Sequence, residues 1–299
     1  MYDICCIGHI TLDKVVTTRS VVHMPGGTSF YFSSAIRNMD VKYSMVTALA
    51  EKEMYIAEDL RAKGTEIVVL PSTNTLYFEN IYSENQDHRT QRVSQLADPF
   101  TPEQLSDMNA RFFHLGPLVA DDIPVSVIRE LAKKGKVSLD VQGYLRKVEN
   151  EQVIHIDWPA KKEALQYVHI LKANESEMEV LTGTNDVRKG AIALASWGVK
   201  EVIITLGSRG SVVYKDQTFY DIPAYIPTTS VVDATGCGDT YMAGYLYQRA
   251  KNANPQDAGE FAAAMATLKI EASGPFTGNA DDVTQFLAAN HRFMFSLTA

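Results

Sequence analysis

The sequence predicts an α/β fold, in which a doubly wound and mostly parallel sheet is covered by helices on both faces. From residue 111 onward, short apolar segments rich in β-branched residues alternate with segments of helical spacing. This alternation is typical of βαβ units, whose parallel strands are buried on both sides. The chain has 299 residues and is 45% hydrophobic, so it can bury the core of one large domain.

The first hundred residues predict three strands of this sheet, two helices and an antiparallel insert. We expect the strands at 2–7, 43–49 and 66–70, and the helices at 29–38 and 54–63. Two β-rich segments, 75–82 and 89–94, flank a polar tip at 83–88, which is typical of a hairpin. Because antiparallel strands do not fit a purely parallel sheet, we expect this hairpin to form a small side sheet with residues 9–18.

The rest of the chain continues the rhythm of strand and helix and ends in two helices. Strands are predicted at 112–115, 137–141, 168–172 and 202–206, and helices at 123–133, 160–166, 175–181 and 187–197. A hairpin is predicted at 211–215 and 218–222. The closing helices are predicted at 239–252 and 255–272, and the second of them carries one apolar stripe.

The charge and the cysteine content exclude some classes of binding partner and indicate the cellular compartment. A formal net charge of −8 and an isoelectric point near 5.4 argue against a nucleic-acid partner and an anionic membrane surface. Cys5, Cys6 and Cys237 lack zinc spacing, so we expect reduced cysteines that pack as small hydrophobic groups, with Cys5 and Cys6 on opposite faces of a strand. With no signal peptide or transmembrane run, the sequence predicts a cytoplasmic protein.

The stretch that indicates chemistry is the turn Thr235-Gly236-Cys237-Gly238, which is followed at once by Asp239 and an apolar helical segment. A glycine turn at the start of a helix presents unpaired backbone N–H groups, and the helix dipole adds partial positive charge there. Such a turn can bind phosphate. Asp239 would then take the proton from a hydroxyl that attacks phosphorus. The competing interpretation is an ordinary turn, since Asp is common at helix starts.

Polar residues follow several predicted strands, at the rim where doubly wound sheets bind their ligands. Asp13, Asp140 and Asn174 are examples. Because these positions share one rim, we expect a single extended cleft. The sequence lacks a Walker-type phosphate loop, a Gly-x-Ser-x-Gly elbow and protein-kinase signatures, and its Gly-x-Gly lies too late in the chain for a dinucleotide fingerprint.

Four motifs together resemble the PfkB, or ribokinase-like, family of carbohydrate kinases. Residues 233–244, Asp-Ala-Thr-Gly-Cys-Gly-Asp-Thr-Tyr-Met-Ala-Gly, resemble its C-terminal signature. Residues 25–27 resemble its N-terminal glycine motif, 174–177 its Asn-x-x-Glu segment, and 205–210 its Thr-x-Gly-x-x-Gly nucleotide loop. The resemblance implies a ribokinase-like fold and transfer of the γ-phosphate of ATP to a hydroxyl of a small sugar or sugar-like polyol.

The resemblance also implies a catalytic role for each residue that begins the predicted helix. Asp239 would be the general base that takes the proton from the acceptor hydroxyl. The backbone N–H groups of Gly236, Cys237 and Gly238 would form an anion hole for the charge that builds on the γ-phosphate.

Two other motifs would hold the phosphate donor. Asn174 and Glu177 would position Mg²⁺, through water, because hard cations prefer oxygen ligands. Thr205, Gly207 and Gly210 would line the nucleotide. The implied cofactors are therefore ATP and Mg²⁺.

The resemblance implies a sugar site and a cation site as well. Asp13, Gly26 and Gly27 would hold sugar hydroxyls, because a carboxylate accepts hydrogen bonds and glycine lets the backbone approach closely. Asp233 and Thr235 match positions that bind a monovalent cation, such as potassium, in many relatives.

A lid is expected within a single kinase domain that spans residues 1–299. It would be discontinuous, formed approximately by residues 9–22 and 72–98, and it would close over the sugar. In several relatives of this family the lid also forms a homodimer.

The acceptor pocket departs from that of a typical ribokinase. Ser29 replaces a glycine of the N-terminal motif, and Tyr31 stands where a sugar-binding asparagine is common. Residues 140–146 replace the Asp-x-Asn-x-Arg form of many sugar kinases and look more like members that act on cyclitols such as myo-inositol, which adds Gln142 and Arg146 to the candidate substrate ligands. The open alternatives are a nucleoside, vitamin or cyclitol kinase and a catalytically inactive sugar sensor.

Overall fold

The computed structural model describes residues 1–16, 21–82 and 89–297, and the described chain forms two sheets. The predicted hairpin tip at 83–88 and residues 17–20 of the predicted lid lie outside the described residues. The strands are β1 (Tyr2–Ile7), β2 (Thr11–Val16), β3 (Val21–Gly26), β4 (Tyr43–Leu49), β5 (Ile67–Pro71), β6 (Leu76–Tyr82), β7 (Arg89–Gln95), β8 (Ala110–Leu115), β9 (Lys136–Asp140), β10 (Arg146–Glu149), β11 (Gln152–His155), β12 (Ile170–Asn174), β13 (Glu201–Thr205), β14 (Ser211–Lys215) and β15 (Thr218–Ile222).

The helices follow the strands of the larger sheet in the predicted rhythm. They are α1 (Thr28–Ile36), α2 (Met54–Ala62), α3 (Val125–Ala132), α4 (Lys161–Ala164), α5 (Glu175–Thr182), α6 (Val187–Ser196), α7 (Cys237–Ala250), α8 (Pro255–Ile270) and α9 (Ala280–Leu297). Within the described part of the chain, every helix is too short or too polar to span a bilayer.

The larger sheet has nine strands in the order β15-β14-β13-β12-β9-β8-β1-β4-β5. All neighbours pair in parallel except β13 with β14 and β14 with β15. The strands β14 and β15 form the predicted hairpin. Cys5 and Cys6 show how both faces are buried, since Cys5 packs in the apolar cluster of one face and Cys6 in that of the other. The predicted α/β class is confirmed.

The smaller sheet has six strands in the order β10-β11-β7-β6-β2-β3. It contains strands from both segments predicted for the lid. The pairing of β2 with β6 is parallel, so the sheet is not purely antiparallel. The hairpin of β10 and β11 was not predicted from the sequence. Its turn places Asn150 and Glu151 at φ 49° and 64°. Its signal is weak because the second turn position usually carries glycine.

The prediction of only two closing helices was wrong, because a third helix follows them. The third, α9, buries Val283 and Phe286 in the apolar cluster that α7 and α8 share. Its start is marked by Asn279, whose side chain accepts hydrogen bonds from the N–H groups of Asp281 and Asp282. An asparagine cap of this kind is a sequence signal for a helix start.

A buried charge cluster fixes α7 against the sheet. Glu201 at the start of β13 is 1% exposed. It accepts hydrogen bonds from the Tyr245 hydroxyl (2.5 Å) and from the Arg249 guanidinium (Nε 3.1 Å, Nη2 2.9 Å). Tyr245 and Arg249 are four residues apart, so they lie on one face of α7. Because a buried carboxylate left unpaired is costly, the cluster holds α7, and with it the first turn of α7, in one place.

Candidate active site

The first turn of α7 is built on a glycine that no other residue could replace without strain. Gly236 is the N-cap residue and lies in the left-handed region at φ 73° and ψ 8°. A Cβ atom on it would lie 2.2 Å from the Tyr31 ring, so Tyr31 packs directly against this turn. The Cys237 N–H closes the turn on the Ala234 carbonyl (3.2 Å), and the Thr240 N–H donates to the Gly236 carbonyl (2.9 Å).

The first turn therefore suits an anion. The N–H groups of Gly238 and Asp239 lie between those two hydrogen-bonded residues, where a helix offers no carbonyl partner of its own. A Cβ atom on Gly238 would lie 3.3 Å from Lys172 Nζ, so an ammonium group flanks the turn. Burial raises the pKa of the Cys237 thiol, so the thiol stays protonated at neutral pH, and the Cys237 N–H is taken by the Ala234 carbonyl oxygen.

Asp239 lies half-buried at the floor of a cleft between the two sheets. Its side chain hydrogen-bonds the hydroxyl of Thr28, and Thr28 Oγ1 also accepts from Gln142 Nε2 (3.1 Å). Burial, and then the Asp140 carboxylate, raise the Asp239 pKa to about 6, against the opposing effect of the Lys172 ammonium. The carboxylate is therefore ionised at neutral pH yet basic enough to accept a proton.

Lys172 is a residue that the sequence analysis missed. It lies opposite Asp140 in the register of β12 and β9, and its Nζ donates to Asp140 Oδ2 at 2.9 Å. Burial disfavours the ammonium, but the carboxylates of Asp140 and Glu177 outweigh that effect and raise the Lys172 pKa. Its signal in the sequence is a lysine within an otherwise apolar buried strand, where an unpaired charge would be costly.

Asn174 and Glu177 form a capping box at the start of α5. Asn174 Oδ1 accepts from the Glu177 N–H and Glu177 Oε2 accepts from the Asn174 N–H, both at 2.8 Å. Burial raises the Glu177 pKa, while the Lys172 ammonium opposes the shift. Among the described residues, no group of three His, Cys, Asp or Glu side chains could hold a metal ion directly.

The predicted nucleotide loop lies at the same edge of the sheet. Thr205 pairs with Asn174 in the register of β13 and β12. The loop after it needs two glycines, because Gly207 and Gly210 have φ of 60° and 91°. A Cβ atom on Gly210 would lie 2.1 Å from the Ile222 carbonyl oxygen.

The cleft between the sheets is a cavity of about 1040 Å³. It brings together nine of the predicted site residues, which are Asp13, Gly27, Tyr31, Gln142, Arg146, Asp233, Thr235, Gly236 and Asp239. Asp13 accepts from Thr11 Oγ1 (2.7 Å), and its carboxylate is in contact with Gly26. Asn80 and Gln91, which the sequence analysis did not single out, line the same cavity from the smaller sheet.

The other predicted residues lie around this cavity. Asn174 and Glu177 line a second cavity of about 500 Å³, which shares Gln142 and Arg146 with the first. The remaining predicted site residues line neither of these two cavities: Gly26, Thr205, Gly207, Gly210, Cys237 and Gly238.

Comparison with known proteins identifies the class. Residues 3–282 match the pfkB family carbohydrate kinases. A cytidine kinase of Thermococcus kodakarensis is 28% identical over 258 residues, which are 82% of this chain and 88% of that protein. A pyrophosphate-dependent kinase of the ribokinase family, solved with a pyrophosphate analogue and myo-inositol, is 30% identical with a TM-score of 0.82, covering 94% of this chain and 99% of that chain. A ribokinase of Arabidopsis thaliana, solved with ribose and ATP, shares the fold at 21% identity and a TM-score of 0.78, covering 96% and 98%.

These matches define a phosphotransferase that acts on a hydroxyl group. The chain belongs to the pfkB family of carbohydrate kinases, because the family matches nearly its whole length. The family predicted from the four motifs is confirmed.

Proposed function

We propose that this protein transfers the γ-phosphate of ATP to a hydroxyl of a small sugar or sugar-like polyol, with Asp239 as the general base. The observation that carries the proposal is the placement of Asp239. Its carboxylate has a pKa raised to about 6 and lies beside the first turn of α7, at the floor of the cleft. The base that takes the hydroxyl proton and the N–H groups that stabilise the phosphoryl charge are therefore next to each other.

The polar groups of the cleft support a compact polyol as the acceptor. Asp13, Asn80, Gln91 and Arg146 reach the cavity from the smaller sheet, and Gln142 reaches it from the segment between β9 and β10. Carboxylate, amide and guanidinium groups bind hydroxyls well. A sugar or cyclitol carries a hydroxyl on most carbons, so it satisfies these groups better than a flat vitamin ring would.

The loop between β15 and α7 supports ATP as the donor. Ile226, Val231 and Val232 are 82%, 63% and 56% exposed, and Val231 and Val232 line the main cavity next to the turn of α7. Exposed apolar side chains beside a phosphate site offer a surface for a purine base. Thr205, Gly207 and Gly210 would line the nucleotide, and Asn174 and Glu177 would hold Mg²⁺ through water. The smaller sheet would act as the lid, and a homodimer through it stays a prediction.

Pyrophosphate is a second candidate donor. It is favoured by the relative at 30% identity that was solved with a pyrophosphate analogue and myo-inositol. Pyrophosphate would need the N–H groups of the first turn of α7, Lys172, and the Mg²⁺ held by Asn174 and Glu177. It would not need an apolar surface for a nucleotide base.

The first experiment measures phosphate transfer by the full-length protein with Mg²⁺. ATP and pyrophosphate are each tested as donors with pentoses, hexoses, ketoses, inositols and nucleosides, and ADP or orthophosphate release is recorded. The Asp239→Asn protein, prepared identically, reports any contaminating kinase. We expect turnover with ATP and a sugar or polyol. Turnover confined to nucleosides would contradict the proposal that a sugar or polyol is the acceptor. Turnover with pyrophosphate alone would contradict the proposal that ATP is the donor. If no combination gives turnover but a sugar raises the melting temperature, the result would favour the alternative of a catalytically inactive sugar sensor.

Asn80 is expected to set the affinity for the acceptor. Its side chain is 6% exposed and accepts a hydrogen bond from Gln91 Nε2 (3.1 Å) at the cavity wall. Asn80→Leu should raise the acceptor KM about tenfold or more with little change in kcat, since it removes hydrogen bonds made equally in the ground and transition states. Glu79→Gln is the matched control, because alternation in β6 turns Glu79 to the other face of the sheet. An unchanged acceptor KM in Asn80→Leu would count against this role.

A further inference from the structure

The last turn of α8 carries a buried ammonium group that the reaction described above does not use. The Lys269 side chain is fully buried, at 0% exposure. Its Nζ donates to the carbonyl oxygen of Asp233 at 2.6 Å and lies 3.2 Å from Asp233 Oδ2. Lysine is almost never fully buried unless it is paired, and the C-terminal end of a helix favours a positive charge. The fold therefore places the Lys269 amino group directly against Asp233.

Asp233 belongs to the loop that leads directly into the first turn of α7. Its Oδ1 accepts from the Thr235 N–H (2.9 Å), and its Oδ2 accepts from the Gly274 N–H (3.3 Å). The backbone before it is tied to the end of α8, because the Val232 N–H donates to the Ile270 carbonyl at 2.8 Å. The Lys269 charge thus pins the loop whose next residues form the anion turn.

These contacts do not fit a bound potassium ion. Asp233 and Thr235 match the monovalent cation positions of many relatives, yet both the carbonyl and the Oδ2 atom of Asp233 are already taken by Lys269 Nζ. A second cation on the same oxygen atoms would meet the ammonium at contact distance, where like charges repel each other. Hard cations also need several oxygen ligands.

We propose that the Lys269 ammonium is a built-in replacement for the monovalent cation, so that this kinase works without potassium. The inference rests on the proposed kinase function. Lys269 is a positioning residue: it touches neither donor nor acceptor, and it acts through residues 233–236 on the N–H groups of the first turn of α7. Because the cation is covalently attached, its charge is present at every salt composition.

The wild-type protein provides the first test. Turnover in potassium chloride and in tetramethylammonium chloride, at equal ionic strength, should agree within about twofold, since no ion binds the native site. The melting temperature should likewise be the same in the two salts. Saturable activation by potassium, or a saturable rise in melting temperature, would overturn the proposal.

Two variants test the role of the side chain. Lys269→Ala empties the position, so turnover in tetramethylammonium chloride should fall about tenfold or more as the anion turn loses its support. Potassium or ammonium chloride should restore both turnover and melting temperature. Lys269→Met is the matched control, because it removes the charge but fills the space, and its loss should not be restored. A folded Lys269→Ala protein that ignores potassium would overturn the proposal.

The melting measurements separate this inference from the proposed function. If no acceptor and donor pair gives turnover, the kinase proposal fails. The salt-dependent melting temperatures of the wild type and of Lys269→Ala still decide whether Lys269 replaces the cation.

Discussion

Replacement of Asp239 by asparagine is expected to lower kcat by about 10²- to 10⁴-fold, because an amide cannot take the proton from the acceptor hydroxyl. The Km and binding constant for ATP should change little, since the amide keeps the shape of the side chain beside the anion turn. The matched control is Asp257→Asn, which makes the same change in the first turn of α8, where Asp257 is exposed. Turnover close to that of the wild type would remove Asp239 from the role of base.

The raised pKa of Asp239 adds a pH signature to this prediction. The wild-type kcat/KM should rise with pH through about 6 and then level off, because the base must be ionised and its pKa is about 6. The folded pKa lies above the ordinary value of 3.8, so this group makes the protein less stable as pH rises from about 4 to about 6. Asp239→Asn removes that loss and should melt at a higher temperature than the wild type at pH 8. The difference should vanish near pH 4, and an opposite sign would contradict the assignment.

Among the substitutions, Lys172→Met is expected to have the second largest effect, on both the free energy of unfolding and the pH profile of kcat/KM. It leaves Asp140, which is 1% exposed, without its cation, and breaking a buried pair costs about 3–5 kcal/mol of unfolding free energy. The Asp239 pKa should rise above its wild-type value, because Lys172 lowers it. The pH at which kcat/KM reaches half of its plateau should therefore move upward. Urea unfolding and a pH profile of kcat/KM measure the two effects.

The double variant Lys172→Met with Asp140→Asn is the control for this prediction. It removes both charges of the pair and also the carboxylate that raises the Asp239 pKa. Much of the lost unfolding free energy should return, since no buried charge is left unpaired. The pH at which kcat/KM reaches half of its plateau should move back to a lower value. If Lys172→Met alone leaves the pH of half-maximal kcat/KM unchanged, Lys172 does not act on the Asp239 pKa.

Most of the fold and part of the site could be predicted from patterns of neighbouring residues in the sequence. The alternation of apolar strands and amphipathic helices predicted the α/β class because periodicity reflects burial by neighbours in sequence. The glycine turn before Asp239 predicted the start of α7 because only backbone conformation and the next few residues are involved. The hairpin of β10 and β11 and the helix α9 were missed, since one has an unusual turn and the other only a short capping signal.

The amino-acid sequence alone predicted the family from four short motifs, and it made Asp239 the candidate base and the glycine turn before it the candidate phosphate site, because each motif lies within a few positions along the chain. The tertiary structure decided which charges surround them. Lys172 meets Asp140 across 32 positions, and Lys269 meets Asp233 across 36. Asn80 and Gln91 reach the cleft only through the pairing of β6 with β7. Contacts of this kind depend on strand order and helix packing, so no spacing in the sequence could predict that the Lys269 side chain lies against Asp233.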